Sequence, residues 1–139
     1  MIQEDKELLL KDISTRLPYR VKMECKWKTP SPNRTYGMMC ELDSFLLDQI
    51  YNMNDSDVPF DEFKPYLFPM SSMTEEQKEE YYYIVNYISP DDTENLLEGE
   101  FVYVNQIEQL LHFYHINHLD YRGLIPKGLA LDATGLNIY

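Results

Sequence analysis

Positive charge is scarce in this sequence: 12 Lys and Arg stand against 24 Asp and Glu, for a formal net charge of −12 over 139 residues. Such a balance repels phosphate backbones and makes the chain a poor partner for nucleic acid. Glycine is also rare, at five, and there is no glycine-rich phosphate loop, nucleophile elbow or Cys/His zinc spacing. Enzymatic chemistry therefore has no support in the motifs, and no cofactor is implied. Two cysteines are too few for a disulfide scaffold and fit reduced thiols. The longest strongly apolar stretch, YYYIVNYI, is far shorter than the roughly 20 residues that span a bilayer. The opening MIQEDKELLLKD lacks the basic segment and apolar run of a secretion signal, so a cytoplasmic protein without membrane contact is expected.

A hydrophobic content of 44%, with 14% aromatics, is ample for a packed core. The length fits a single domain over residues 1–139. Charge is distributed unevenly. Residues 1–34 hold eight Lys/Arg and five Asp/Glu, residues 41–108 hold two and seventeen, and residues 109–139 hold two and two. The middle of the chain thus carries −15 and the N-terminal part +3.

Leu8, Leu9, Asp12, Ile13 and Leu17 predict an amphipathic helix from about residue 4 to 16, stopped by Pro18. RVKMECKWK, residues 20–28, alternates without a break and reads as a strand with Val21, Met23, Cys25 and Trp27 inward. TPSPNR is loop chemistry, and TYGMMCEL alternates again. A hairpin over about residues 19–42 follows. Centred on residues 31 and 32, it sets Trp27 opposite Tyr36, Cys25 opposite Met38 and Met23 opposite Cys40 on the buried side. Outside, Lys22 faces Glu41 and Arg20 faces Asp43, which leaves Lys26 and Lys28 as the unclaimed positive charges.

Residues 43–58 fit a helix through Leu42, Phe45, Leu46 and Ile50 or a strand through Phe45, Leu47, Gln49 and Tyr51, with a third strand preferred. Pro59, Pro65 and Pro69 reduce residues 57–72 to a short helical turn and extended chain. Thr74 and Gln77 form a capping box, Glu75 and Glu76 suit the positive helix end, and Tyr81, Ile84, Val85 and Ile88 make the buried stripe. A further helix is expected between Ser89 and Gly99. The last helix should begin near Asn105, with Glu108 in the capping-box position, and end near residue 118. The expected fold is α+β: an N-terminal helix, a small antiparallel sheet, and helices packed on one face.

Three groups of residues invite chemistry. His112, His115 and His118 are spaced by three, and on a helix they fan over about 120°. At most Glu108, His112 and His115 share one side, so a zinc site would need a ligand from elsewhere. Cys25 and Cys40 fall on the inner face of the hairpin, where burial makes a thiol inert. Acid pairs such as Asp55 with Asp57, Asp61 with Glu62, and Asp91 with Asp92 read as a solvated surface, since Phe60 occupies the glycine position of a calcium loop begun at Asp55. The sharper reading combines the acids of the middle segment with its tyrosines into a surface for a basic partner.

The segments RLPYRV, FKPYLFPMSSMTEEQKEEYYYIVNYISPDDT and LDYRGLIPKGLALDA resemble a family of short uncharacterised proteins from gut anaerobic bacteria and their phages and mobile elements. The resemblance covers about half of the chain, mostly after residue 63. It implies an accessory protein and carries over no catalytic residue. Together these readings predict a non-enzymatic protein-interaction module that meets a basic protein partner through Glu75, Glu76, Glu79, Glu80, Tyr82 and Tyr83. The alternative is a small metal-binding protein or metal-dependent enzyme using His112 and His115.

Overall fold

The computed structural model describes residues 2–27, 37–52, 60–86 and 99–139. Expectations for Lys28, Tyr36, the acids Asp55, Asp57, Asp91 and Asp92, and the helix after Ser89 lie outside the described residues. Helix α1 (Gln3–Thr15) opens with Glu4 and Asp5, which suit the positive helix end, and buries Leu9, Asp12 and Ile13. A 3-10 turn at Leu17–Tyr19 accommodates Pro18, and Arg20, at φ 56°, redirects the chain into the sheet.

Strands β1 (Lys22–Trp27) and β2 (Gly37–Glu41) pair antiparallel, with Lys22 opposite Glu41, Met23 opposite Cys40 and Cys25 opposite Met38. This is the register that the alternation requires. Val21, Met23 and Cys25 are fully buried. Met38, expected inside, is 41% exposed, because β2 is the outer strand and the core lies under the inner ones. Arg20 reaches Glu41 at 3.5 Å rather than Asp43.

Asp43 has another role. The preferred strand after it is instead helix α2 (Ser44–Tyr51), where the Asp43 carboxylate accepts the Leu46 N–H at 2.7 Å as N-cap. Leu46 and Ile50, four residues apart, are its buried stripe, and Leu42, just before the cap, is buried as well. The period of 3.6 wins over alternation because a cap is present to start it.

Residues expected to lack long regular structure form strand β3 (Phe60–Leu67), antiparallel to β1, with Pro65 opposite Met23 and Lys26 opposite Glu62. Pro65 is tolerated because, among the described residues, β3 pairs on its far side through Tyr66 and Leu67, with the short parallel strand β4 (Leu131–Asp132). The sheet order is β2-β1-β3-β4, mixed rather than purely antiparallel, and the architecture is α+β. Lys26 is also claimed: its Nζ lies 3.6 Å from Glu62, which accepts from Lys64 at 2.8 Å, and both cations hold the Glu62 carboxyl below its usual pKa.

Helix α3 (Glu75–Asn86) follows a 3-10 turn at Met70–Ser72, and helix α4 (Gly99–Ile116) begins six residues before the expected start. Gly99 is the first residue of α4. Glu108 lies inside α4, exposed and not at a cap.

The core joins Leu9 and Ile13 of α1, Leu46 and Ile50 of α2, Met23, Cys25, Phe63 and Leu67 of the sheet, and Leu124, Leu129 and Ala130 of the C-terminal segment. Each large apolar side chain so buried contributes roughly 1.5–3 kcal/mol. Asp120 holds the C-terminal segment in place by accepting the Leu124 and Ile125 N–H groups at 2.7 and 2.9 Å. Gly128, at φ 72°, makes the left-handed turn that returns the chain to the core. Finally, the Tyr139 hydroxyl accepts the Lys22 N–H at 2.8 Å and donates to the Tyr66 carbonyl at 2.7 Å, pinning this segment across β1 and β3.

The cap on α2 can be tested on its own. Asp43→Ala should lose about 1 kcal/mol of stability in urea unfolding and Asp43→Asn much less; equal, negligible losses would show that α2 does not depend on its cap.

Candidate functional site

Helix α3 begins with the predicted reciprocal cap. The Gln77 Oε1 accepts the Thr74 N–H at 2.9 Å, and the Thr74 hydroxyl accepts the Gln77 N–H at 3.1 Å. This fixes which residues turn toward α4. Gln77 donates to Asn117 Oδ1 at 3.0 Å, Tyr81 packs 6.1 Å from Phe113 and 6.3 Å from Tyr114, and Ile84 is half-buried. Gln106 of α4 closes the other end, donating to the Ile84 and Val85 carbonyls at 2.8 and 3.0 Å. Val85, expected in the buried stripe, is exposed, and Ile88 lies outside the described residues.

With that face turned inward, Glu75, Glu76, Glu79, Glu80, Tyr82 and Tyr83 share the outward side of α3. All six are exposed, Tyr82 by 69% and Tyr83 by 59%. Lys78 sits among them, 3.2 Å from Glu75 in an exposed ion pair of little energetic weight. Along the seam with α4, Glu80, Tyr83, Ile84, His112, Phe113 and Ile116 line much of a groove of about 510 Å³.

The histidines do not converge. His112 is exposed and its Nδ1 lies 2.9 Å from the Tyr19 hydroxyl. His115 is buried, with Nε2 between the hydroxyls of Tyr121 at 2.9 Å and Thr15 at 3.3 Å. The Tyr19 ring packs against both, at 5.5 and 5.2 Å. His118, expected in the last turn of the helix, lies beyond it at φ 52°, stacked 3.7 Å from Tyr139. Among the described residues no group of three or more His, Cys, Asp or Glu could hold a metal ion.

Instead, the histidines border a buried polar network that spacing alone did not reveal. Asp12 and Arg16, both fully buried, form a bidentate pair at 2.7 and 3.2 Å, and Arg16 also donates to the Leu119 carbonyl at 2.7 Å. Arg122 Nε lies 3.3 Å from the same Asp12 carboxylate as an ionic contact without hydrogen-bond alignment. Both guanidinium groups lie over the Tyr121 ring, at 5.3 and 5.0 Å, and that ring stacks on Tyr114 at 4.6 Å. Two cations thus share one carboxylate. Burial first, and then the charge of Arg16, hold His115 and His118 down at a pKa of about 4, with Arg122 and His112 adding to the effect on His115. A neutral, largely buried His115 between two hydroxyls joins α1 to α4.

The signal for this network was Asp12 itself, a carboxylate in the apolar stripe of α1 with an arginine four residues later. Comparison with known protein families, functionally described proteins and solved structures finds no match to this chain. Among the described residues no helix is long and apolar enough to cross a membrane.

Stability should follow the depressed histidines. Their folded pKa of about 4 lies below the 6.5 of a free imidazole, so the unfolded chain binds more protons between those values. Stability is complete above pH 6.5 and is lost as pH falls toward 4. Urea midpoints should show this fall, and His118→Asn, which tolerates the left-handed backbone, should shrink it. Identical pH profiles for the two proteins would contradict the assignment to His118.

Proposed function

We propose that this protein is a non-enzymatic interaction module, an accessory protein of the kind its resemblance implies, that binds a basic protein partner through the outward face of α3. The observation that carries this reading is the exposure of Glu75, Glu76, Glu79, Glu80, Tyr82 and Tyr83 on one side of a helix whose other side is committed to α4. Four carboxylates on that face draw a Lys/Arg-rich surface and accelerate encounter. Tyrosines supply contact area at low entropic cost, since each has few rotatable bonds and presents both an apolar ring and a hydroxyl.

The groove beside this face offers the partner somewhere to place apolar side chains between its cations. A basic amphipathic helix suits that combination. The reading needs no chemistry from His115 or from the thiols, and it places the acidic excess of the chain where it has a use.

The test is capture of basic proteins by the intact chain at increasing salt. Wild type should retain a partner that falls away as salt rises. The variant combining Glu75→Gln, Glu76→Gln, Glu79→Gln and Glu80→Gln should bind at least about tenfold more weakly while keeping its helical circular dichroism. Undiminished binding by the folded variant would rule this surface out.

A further inference from the structure

Cys25 and Cys40 occupy diagonal positions on neighbouring antiparallel strands, since Cys25 pairs with Met38 and Met23 with Cys40. Diagonal side chains on one face of a sheet can reach each other, and here the two sulfurs stand 2.9 Å apart. Both residues are free thiols. We propose that this pair is a modification site, a dithiol that peroxide converts into a reversible disulfide clip across β1 and β2.

The two thiols are not equivalent. Cys25 is fully buried in the core on the inner strand β1. Cys40 is half-buried on the outer strand β2, with a further contact of 3.8 Å to the Met23 carbonyl. A small oxidant therefore meets Cys40 first. The contact with Cys25 lowers the Cys40 pKa, against the opposing effects of burial and of Asp43; the same contact, with burial, pushes the Cys25 thiol up. The half-buried Cys40 is thus the thiol that attacks the oxidant, and the buried Cys25 is the one that resolves it.

The chemistry balances with hydrogen peroxide as the oxidant. The Cys40 thiolate attacks one peroxide oxygen, the O–O bond breaks, and the departing hydroxide takes up a proton as water, leaving Cys40 as a sulfenic acid. The adjacent Cys25 sulfur then attacks the Cys40 sulfur. The S–O bond breaks, and the hydroxyl leaves with the Cys25 proton as a second water. Two thiols lose two electrons, and one peroxide becomes two waters. A dithiol reductant reverses the bond by exchange. Because the sulfurs are already in contact, the second step needs little rearrangement and outruns further oxidation of Cys40.

Closing the chain between residues 25 and 40 constrains the unfolded state and tightens the outer hairpin. The melting temperature should rise by on the order of 10 °C. The experiment treats the full chain with hydrogen peroxide and then counts thiols in denaturant, with intact mass measured alongside. Expected is a monomer that has lost both thiols and two hydrogens, and that recovers both thiols with dithiothreitol. In Cys25→Ser, Cys40 should be trapped as a sulfenic acid by dimedone; in Cys40→Ser, Cys25 should remain a thiol. Wild type would overturn the proposal by keeping both thiols at peroxide levels that oxidise Cys40 in Cys25→Ser, or by forming only disulfide-linked dimers.

Discussion

Asp12 and Arg16 sit one turn apart at the end of α1, both cut off from water, so their charges can be met only by groups that distant parts of the chain bring to them. Leu119 supplies a carbonyl and Arg122 a second cation. Removing two charges from water is costly, and a buried pair gains little over a well-packed apolar one; its leverage is that losing either partner strands the other, at about 3–5 kcal/mol. The pair therefore works mainly as a specification. It accepts only the arrangement in which the end of α1, the exit of α4 and the C-terminal segment meet.

The remaining architecture follows from that meeting point. Phe68, just beyond β3, exchanges backbone hydrogen bonds with the chain around Leu119, donating to the His118 carbonyl and accepting the Asp120 N–H, each at 2.8 Å. Thus the exit of α4 extends the edge of the sheet. From there α4 holds α3 through Gln106, Phe113, Tyr114 and Asn117, and α3 can spend its whole opposite side on glutamates and tyrosines. The acidic face is an indirect product of a buried arginine. Their separation also means that the make-up of the acidic face and the stability of the core can vary independently.

What the sequence made legible was local. Strict alternation placed Cys25 opposite Met38 and Met23 opposite Cys40, because a period of two leaves no freedom of register once the turn is centred. Thr74 and Gln77 announced α3 for the same reason: a cap is written within four residues. Harder to read were elements whose form depends on distant neighbours. Pro65 argues against a central strand, but among the described residues β3 pairs on its far side only through Tyr66 and Leu67. Phe45 and Leu47 suggested alternation, while the deciding residue for α2 was Asp43 before it. An arginine at a helix end is usually an exposed charge, and the Leu119 carbonyl and the Asp12 carboxylate explain the burial of Arg16. The side chains chosen for the acidic face are exposed, whereas three-residue spacing says nothing about the hydroxyls of Tyr19, Tyr121 and Thr15 that meet His112 and His115.

The dependence of the fold on this one buried pair is most directly measured by a double-mutant cycle in urea. Arg16→Met and Asp12→Leu should each cost about 3–5 kcal/mol, because Asp12→Leu strands the buried Arg16 and Arg16→Met leaves the buried Asp12 only the partly exposed Arg122. The double variant should cost less than their sum by at least about 2 kcal/mol, since it removes both charges together. Additivity to within about 0.5 kcal/mol would contradict the account and return Asp12 and Arg16 to the rank of ordinary core positions.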